Sequence, residues 1–322
     1  MTLTEIVAEL AGYLEADAPE VSLSPAAFTS PELWAAEREL VFGRSWLLAG
    51  HAAEPAEPGG CFTVSPAGRA VTVFRGEDGT LRARSAPGAR RPAPAVEEWR
   101  GFVFVNPDPD AEPLAPHLRR IGRELDAYRL PEMTPIATWT EEWRCNWKIA
   151  VQNAHENYHA MGLHPTTVAL ITPPGGAMEV RADSPWVTRL LSPFREPLAH
   201  TALPLSAAQR ATMYNCAVFP CSSLAAFGDS VVWTAMIPLA IDRVEVRGGV
   251  LTHPSALEGQ DRNAFREQNE ESAAVVNRED RLGMEAVQRV AGSRFAERGH
   301  LSPKEPGVTA FYRSLARALV TG

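Results

Sequence analysis

Apolar positions in the first fifteen residues recur at helical spacing, with Leu3, Ile6, Val7, Leu10 and Leu14 along one side. Thr2, with Glu5 three residues later, has the form of a capping box at the start of that helix. A second helix is predicted over Pro31 to Phe42, with Leu33, Trp34, Leu40 and Val41 as its apolar side. The period then changes. From Trp46 to Asn106 short β-like pieces alternate with turn residues: Cys61 to Val64, Ala70 to Phe74 and Gly101 to Val105 read as strands. Pro58-Gly59-Gly60 and Glu77-Asp78-Gly79 read as the turns between them. A proline-dense stretch (Pro107, Pro109, Pro113, Pro116) reads as a linker. Beyond it, strands are predicted over Ala137 to Trp147, Trp186 to Leu191, Ala217 to Leu224, Val231 to Ile237 and Val244 to Thr252. Helices are predicted from Asp261 to about Val290 and from Val308 to Leu319. The expected fold class is α+β, with N-terminal helices (1–45), a small β module (46–106) and a larger α+β domain (107–322).

Composition narrows the function classes. The 322 residues are 45% hydrophobic and 22% charged, enough for a large core without disulfides or a structural metal. Thirty-one Lys and Arg against 39 Asp and Glu leave a net charge of −8, which argues against a nucleic-acid partner. No apolar run approaches the ~20 residues needed to span a bilayer. Glu5, Glu9 and Glu15 occupy the N-terminus without a basic segment, unlike a secretory signal. Cys61, Cys145, Cys216 and Cys221 are too few and too scattered for a disulfide framework, so reduced thiols and a cytoplasmic location are expected. No glycine-rich nucleotide fingerprint stands between a strand and a helix, and no NAD, FAD or ATP site is expected.

The chemistry concentrates in the segment Asn146 to Pro165. At about 100° per residue, Asn153, Glu156, His159, Ala160 and Leu163 share one helix face. An otherwise buried face thus carries an amide, a carboxylate and an imidazole. His164, five residues after His159, lies about 140° away on a regular helix. Both rings reach one metal only if the helix widens, bulges or ends between them, and Gly162 and Pro165 allow that. On spacing alone, two unrelated histidines fit as well. His155 points away from Glu156 and reads as structural, Cys145 as a small core residue, and the Arg90-Arg91 pair as a solvated turn. His51, His117, His200, His253 and His300 stand alone in the sequence.

A second segment changes the weight of the first. Val276, Met284, Val287 and Val290 form an apolar stripe on the long C-terminal helix, and Asp280 falls inside it. A carboxylate on a core-facing stripe is costly unless it is paired, by an arginine for instance, or binds a cation. Two histidines and one carboxylate leave open positions suited to non-haem Fe(II) and oxygen. The same ligands are acceptable to zinc.

Asn146-Trp147-Lys148 followed by Asn153-x-x-Glu156-x-Tyr158-His159-x4-His164-Pro165 closely resembles the catalytic domain of Rieske-type ring-hydroxylating oxygenase large subunits. Glu279-Asp280, Glu285 to Arg289, Ser293, Gly299, Glu305 to Val308 and Phe311 resemble that family's C-terminal block. The resemblance implies a helix-grip catalytic domain with mononuclear Fe(II) held by His159, His164 and Asp280. Glu156 matches the acidic residue that relays electrons between subunits, with Asn153 a supporting residue beside the metal. A Rieske [2Fe–2S] centre needs two Cys and two His, in the family as Cys-x-His and Cys-x-x-His. No cysteine in this chain has a histidine two or three residues later. The β module is therefore expected to be a shortened remnant without the cluster.

The expected function is an O2-dependent mononuclear iron oxygenase acting on a small organic substrate. Its electrons would come from a separate Rieske or reductase partner, in a homotrimer or hetero-hexamer, or from the substrate itself. Neither nucleic acid nor membrane is expected as a partner. The competing readings are a non-catalytic subunit of a hetero-oligomeric oxygenase and a zinc hydrolase.

Overall fold

The computed structural model describes residues 1–15, 20–88, 92–173, 178–182 and 184–320. Helix α1 (Leu3–Glu15) begins at the expected capping box: Thr2 N donates to Glu5 Oε2 at 2.8 Å and Glu5 N donates to Thr2 Oγ1 at 3.3 Å. Its buried residues are Ile6, Leu10 and Tyr13. A short α2 (Ala26–Thr29) leads into α3 (Pro31–Leu40), where Ser30 caps the backbone N–H of Leu33. The apolar side of α3 also carries Glu37, which is fully buried.

The next stretch forms two three-stranded antiparallel sheets. Its strands are β1 (Leu47–His51), β2 (Cys61–Val64), β3 (Val71–Arg75), β4 (Leu81–Ser85), β5 (Ala95–Trp99) and β6 (Phe102–Asn106). They order as β1-β6-β5 and β2-β3-β4. The strands over 61–64, 71–75 and 102–106 fall within one residue of expectation, because short runs rich in Val, Phe and Thr next to turn residues leave little freedom. Arg90 and Arg91 lie outside the described residues. The proline-dense stretch is only half a linker. Helix α4 (Ala115–Glu124) takes Pro116 in its first turn, where a missing N–H costs no hydrogen bond.

The larger unit is built on one seven-stranded antiparallel sheet, ordered β7-β13-β12-β11-β10-β9-β8. Its outer strand β7 (Thr134–Trp143) ends earlier than expected, and Trp147 starts helix α5 (Trp147–Asn153) instead. The cause is Asn146, whose Oδ1 accepts from the backbone N–H of Lys148 at 3.0 Å and so caps a helix. Two short helices follow, α6 (Ala160–Leu163) and α7 (Val168–Ile171). Then come β8 (Glu179–Arg181), β9 (Val187–Pro193), helix α8 (Ala207–Arg210) and β10 (Thr212–Val218). The single strand expected over Ala217 to Leu224 is two, β10 and β11 (Ser222–Phe227), because Pro220 has no N–H for the ladder. Strands β12 (Ser230–Ala240) and β13 (Arg243–Thr252) complete the sheet.

Helix α9 (Arg262–Ala291) begins where expected, capped by Asp261, and α10 (Pro306–Val320) is the last helix described. The apolar stripe of α9 is only partly covered. Met284 is buried and Val276 half-buried, but Val287 and Val290 are 47% and 63% exposed. Periodicity marks which side of a helix is apolar, not whether another element lies opposite. Together these elements form the expected α+β, helix-grip architecture. Among the described residues no helix is long and apolar enough to cross a membrane.

The N-terminal helices are tied to the larger unit by a buried ion pair. Lys148 Nζ donates to Glu37 Oε1 at 2.5 Å, and Trp147 Nε1 donates to Glu37 Oε2 at 2.9 Å. Both charged side chains are at most 1% exposed. Burial pushes the Lys148 ammonium below the ordinary lysine pKa, and only the charge and hydrogen bond of Glu37 oppose that. Glu37→Ala would strand a buried cation and an indole N–H, and should cost about 3–5 kcal/mol of unfolding free energy. A denaturant titration checks this; a loss under about 1 kcal/mol, as for an exposed pair, would refute it.

Candidate metal centre

The Asn146–Pro165 segment is not one helix. α5 ends at Asn153, a turn through residues 154–159 follows, and α6 is a single four-residue helix. His159 stands immediately before α6 and His164 immediately after it. A regular helix would splay the two rings; a single short turn instead brings their centroids to 5.3 Å. The break required by the His-x4-His spacing is therefore present. Asn153, Glu156, His159 and Ala160 all line one cavity without sharing a continuous helix. Leu163 turns the other way, onto α9.

Gly283 explains how α6 comes this close to α9. A Cβ there would sit 2.9 Å from Leu163 Cδ1. Three residues earlier on α9, Asp280 faces the two histidines. His164 Nε2 lies 2.9 Å and His159 Nε2 3.8 Å from Asp280 Oδ1. One donor atom from each of the three residues lies within 4.8 Å of the others, and among the described residues this is the group of three or more His, Cys, Asp or Glu that could hold a metal ion. Asp280 thus meets histidines rather than an arginine. Asn153 Nδ2 donates to Asp280 Oδ1 at 2.9 Å.

The opposite nitrogen of each ring is also held. His159 Nδ1 is 2.5 Å from Glu156 Oε1, and Glu156 Oε2 accepts the His159 backbone N–H at 3.1 Å. His164 Nδ1 is 2.8 Å from Glu279 Oε2, which also accepts from Thr167 Oγ1 at 2.9 Å. A carboxylate on Nδ1 fixes the proton there and leaves Nε2 as a lone pair for a metal, the usual outer support of a histidine ligand. Glu279 stood in the sequence only as part of the C-terminal block. The sign that could have revealed its role is its place beside Asp280, on the turn facing α6.

The charges ask for a cation. Glu156, Glu279 and Asp280 surround two imidazoles. Burial alone would lower the pKa of His164, but hydrogen bonds to Asp280 and Glu279 and their charges outweigh it, leaving the pKa above the usual histidine value. The donor set, two imidazole nitrogens and a carboxylate oxygen, fits a mononuclear divalent ion.

The remaining histidines play other parts. His155 Nδ1 lies 2.7 Å from the Val151 carbonyl, and burial pushes its pKa down to about 4, so it is a neutral structural ring packed on Phe311. A Cβ on Gly307 would fall 2.0 Å from the His155 carbonyl oxygen, which lets α10 lie directly against this turn. His51 is buried, with a pKa pushed down to about 4 by burial, and accepts the Ala53 N–H. His117 packs on Trp186, and His253 caps the turn at Pro254. Burial pushes the Cys145 thiol up to about 12, consistent with a core residue.

Beside the centre lies a cavity of about 230 Å³, enclosed by α5, α6, α9 and the inner face of β9 to β13. Its wall carries side chains that sequence reading did not single out, among them Ser192, Asn215, Ser223 and Thr234.

Glu279→Gln keeps the size of the side chain but removes the charge that orients His164. It should weaken divalent-metal affinity about 10–100-fold, measured by competition with a chromophoric chelator. Unchanged affinity would show that His164 needs no such support.

Comparison with known families matches residues 130–321, more than half of the chain, to the ring-hydroxylating alpha subunit (catalytic domain). The carnitine monooxygenase oxygenase subunit of Acinetobacter pittii (strain PHEA-2) is 25% identical over 212 residues, covering 50% of this chain and 55% of that protein. The Escherichia coli (strain K12) carnitine monooxygenase oxygenase subunit is 25% identical over 214 residues, covering 50% and 54%. The chain thus spans about half the length of these curated relatives. In fold it is similar to the quaternary ammonium Rieske monooxygenase CntA, with a TM-score of 0.78, 19% identity and 98% of each chain covered. It is likewise similar to naphthalene 1,2-dioxygenase from Rhodococcus sp., with a TM-score of 0.77, 16% identity and 99% and 98% covered. On the family match and the residues at its centre, the chain belongs to the ring-hydroxylating alpha-subunit family, with the match lying in the catalytic domain.

Proposed function

We propose that this chain is a mononuclear non-haem iron oxygenase in which His159, His164 and Asp280 hold ferrous iron beside a cavity for a small organic substrate. The observation that carries the reading is the direction of the ring nitrogens: both Nε2 atoms turn to Asp280, and both Nδ1 atoms are held by carboxylates. Two histidines and one carboxylate with free positions suit ferrous iron and oxygen, and family membership supports iron over zinc. When bound, the iron supplies O2 activation for hydroxylation or a related oxidation. The chain's own residues orient and bind. Glu156 and Glu279 hold the rings, Asn153 steadies Asp280, and the sheet wall receives the substrate.

Such chemistry needs electrons. The β module over 46–106 offers no Cys-x-His or Cys-x-x-His pair in its sequence, so we assign the supply to a separate cluster-bearing oxygenase subunit or reductase. Its point of entry is Glu156, which contacts His159 and keeps 9% of its side chain exposed. The assembly would be a homotrimer or a hetero-hexamer in the cytoplasm: the resemblance to ring-hydroxylating large subunits implies head-to-tail contacts, which close into a ring when the rotation suits.

Replacing His159, His164 and Asp280 together with alanine should abolish iron binding after anaerobic reconstitution while the circular dichroism spectrum stays that of the parent. The parent should hold one iron and no acid-labile sulfide. A triple variant retaining the parent's iron would overturn the site, and parent protein with labile sulfide would overturn the reading of the β module.

Glu156→Gln should abolish turnover supported by a cluster-bearing partner and reductase, with iron content unchanged. Undiminished turnover would remove Glu156 from the electron path. Full activity of the isolated protein with substrate and O2 alone would make the substrate the electron source.

A further inference from the structure

We propose that the cavity beside the metal centre selects a small uncharged molecule bearing a neutral amide, alcohol or carbonyl group, and discriminates against carboxylates and ammonium ions. This deepens the reading above and rests on it for the charge of the centre. The argument begins with the titratable groups on the cavity wall: Glu156, His159, His164 and Asp280, with no lysine or arginine among the described lining residues. A divalent ion at the centre would already be outweighed by three carboxylates, Glu156 and Asp280 on the wall and Glu279 behind His164, with both imidazoles neutral. A substrate carboxylate would enter without a cation to pair it, and an unpaired buried charge is among the costliest things a protein can hold. A substrate ammonium fares little better. All three carboxylates are already engaged, Glu156 by His159, Glu279 by His164 and Thr167, and Asp280 by Asn153 and His164, and among the described lining residues Trp143 alone offers an indole or phenyl ring.

What the wall does offer is a band of neutral hydrogen-bonding groups crossing four adjacent strands. Asn215 Nδ2 on β10 donates to Ser192 Oγ on β9 at 3.3 Å. Ser223 on β11 lies directly opposite Thr234 on β12, so the two hydroxyls share a face. These groups can both donate and accept, as a neutral polar group requires. Apolar positions flank the band. Met213 pairs with Ser192 across β9 and β10, and Met236 pairs with Val246 across β12 and β13. Methionines adapt to irregular hydrocarbon shapes. The cavity is therefore apolar at its sides and polar but uncharged along one wall. A wall built to hydrogen-bond rejects a ligand lacking that group, because its own polar groups are then left unpaired.

The test uses three single-ring compounds of nearly equal size: benzamide, benzoate and benzylammonium. Isothermal titration calorimetry under anaerobic conditions, without reductant, measures their binding to the ferrous-loaded protein and to the protein without metal. Benzamide should bind at least about tenfold more tightly than either ion to the loaded protein. Asn215→Leu and Thr234→Val should each weaken benzamide about tenfold, the loss of one hydrogen bond, with Ser223→Ala as a milder third variant should either of those fail to fold. Benzoate or benzylammonium binding as tightly as benzamide, wall variants that leave benzamide unchanged, or no benzamide binding at all would each overturn the proposal. Failure of the underlying reading is distinguishable: protein that holds no iron but still prefers benzamide would refute the iron site and leave the wall's selectivity standing.

Discussion

Glu37 and Lys148 lie together where water does not reach, and their pairing is directional in a way that apolar packing is not. Lys148 sits on the first turn of α5, whose far end delivers Asn153 to Asp280. The neighbouring residues add contacts of their own. Trp147 Nε1 also reaches Glu37, the Asn146 amide donates to the carbonyls of Phe28 and Ile241, and the Asn146 N–H donates to Gln288 on α9. One turn of helix is thereby referenced to the N-terminal helices, the sheet and α9 at once. Neither ion could be left alone in that interior, because a buried charge without its partner costs several kcal/mol. The N-terminal helices are therefore part of the frame of the candidate metal centre rather than an appendage to it.

The centre itself reverses the usual logic of a core. A packed interior avoids carboxylates, yet three surround two imidazoles here. The arrangement is tolerated because each carboxylate has hydrogen-bond donors, from the ring nitrogens, the His159 backbone, Thr167 and Asn153. What remains is excess negative charge, visible in the raised pKa of His164. A divalent ion relieves it, and the rings are already turned to receive one. Organisation of this kind lowers the cost of binding because little has to move when the ion arrives.

Much of this architecture is legible in the residue pattern. The capping box at Thr2, the cap at Asp261, the glycine turns of the β module and the long amphipathic helix each depend on a few neighbouring residues. Local rules recover them nearly to the residue. The departures share a cause. Asn146 turned an apparent strand into a helix through one side-chain hydrogen bond, Pro220 split an apparent strand in two, and Val287 and Val290 proved exposed because no element among the described residues covers them. Glu37 gave no sign of itself and Lys148 stood only within the Asn146-Trp147-Lys148 motif, since a charged residue in a pattern reads as surface until its partner, 111 positions away, is seen.

For the metal centre the division is sharper. The sequence alone determined which residues had the right chemistry, because a carboxylate on an apolar stripe and two histidines around a breakable helix violate ordinary burial preferences. It also determined that the two rings could meet only across a break. Tertiary structure decided everything that depends on distance. It made the break a single short turn, lodged against α9 where Gly283 leaves room for Leu163, and it brought Glu279 to the far side of His164. It also assembled a neutral polar wall from four strands. Such features depend on contacts between residues far apart in the chain, and the spacing of neighbours along a helix or strand carries no information about them.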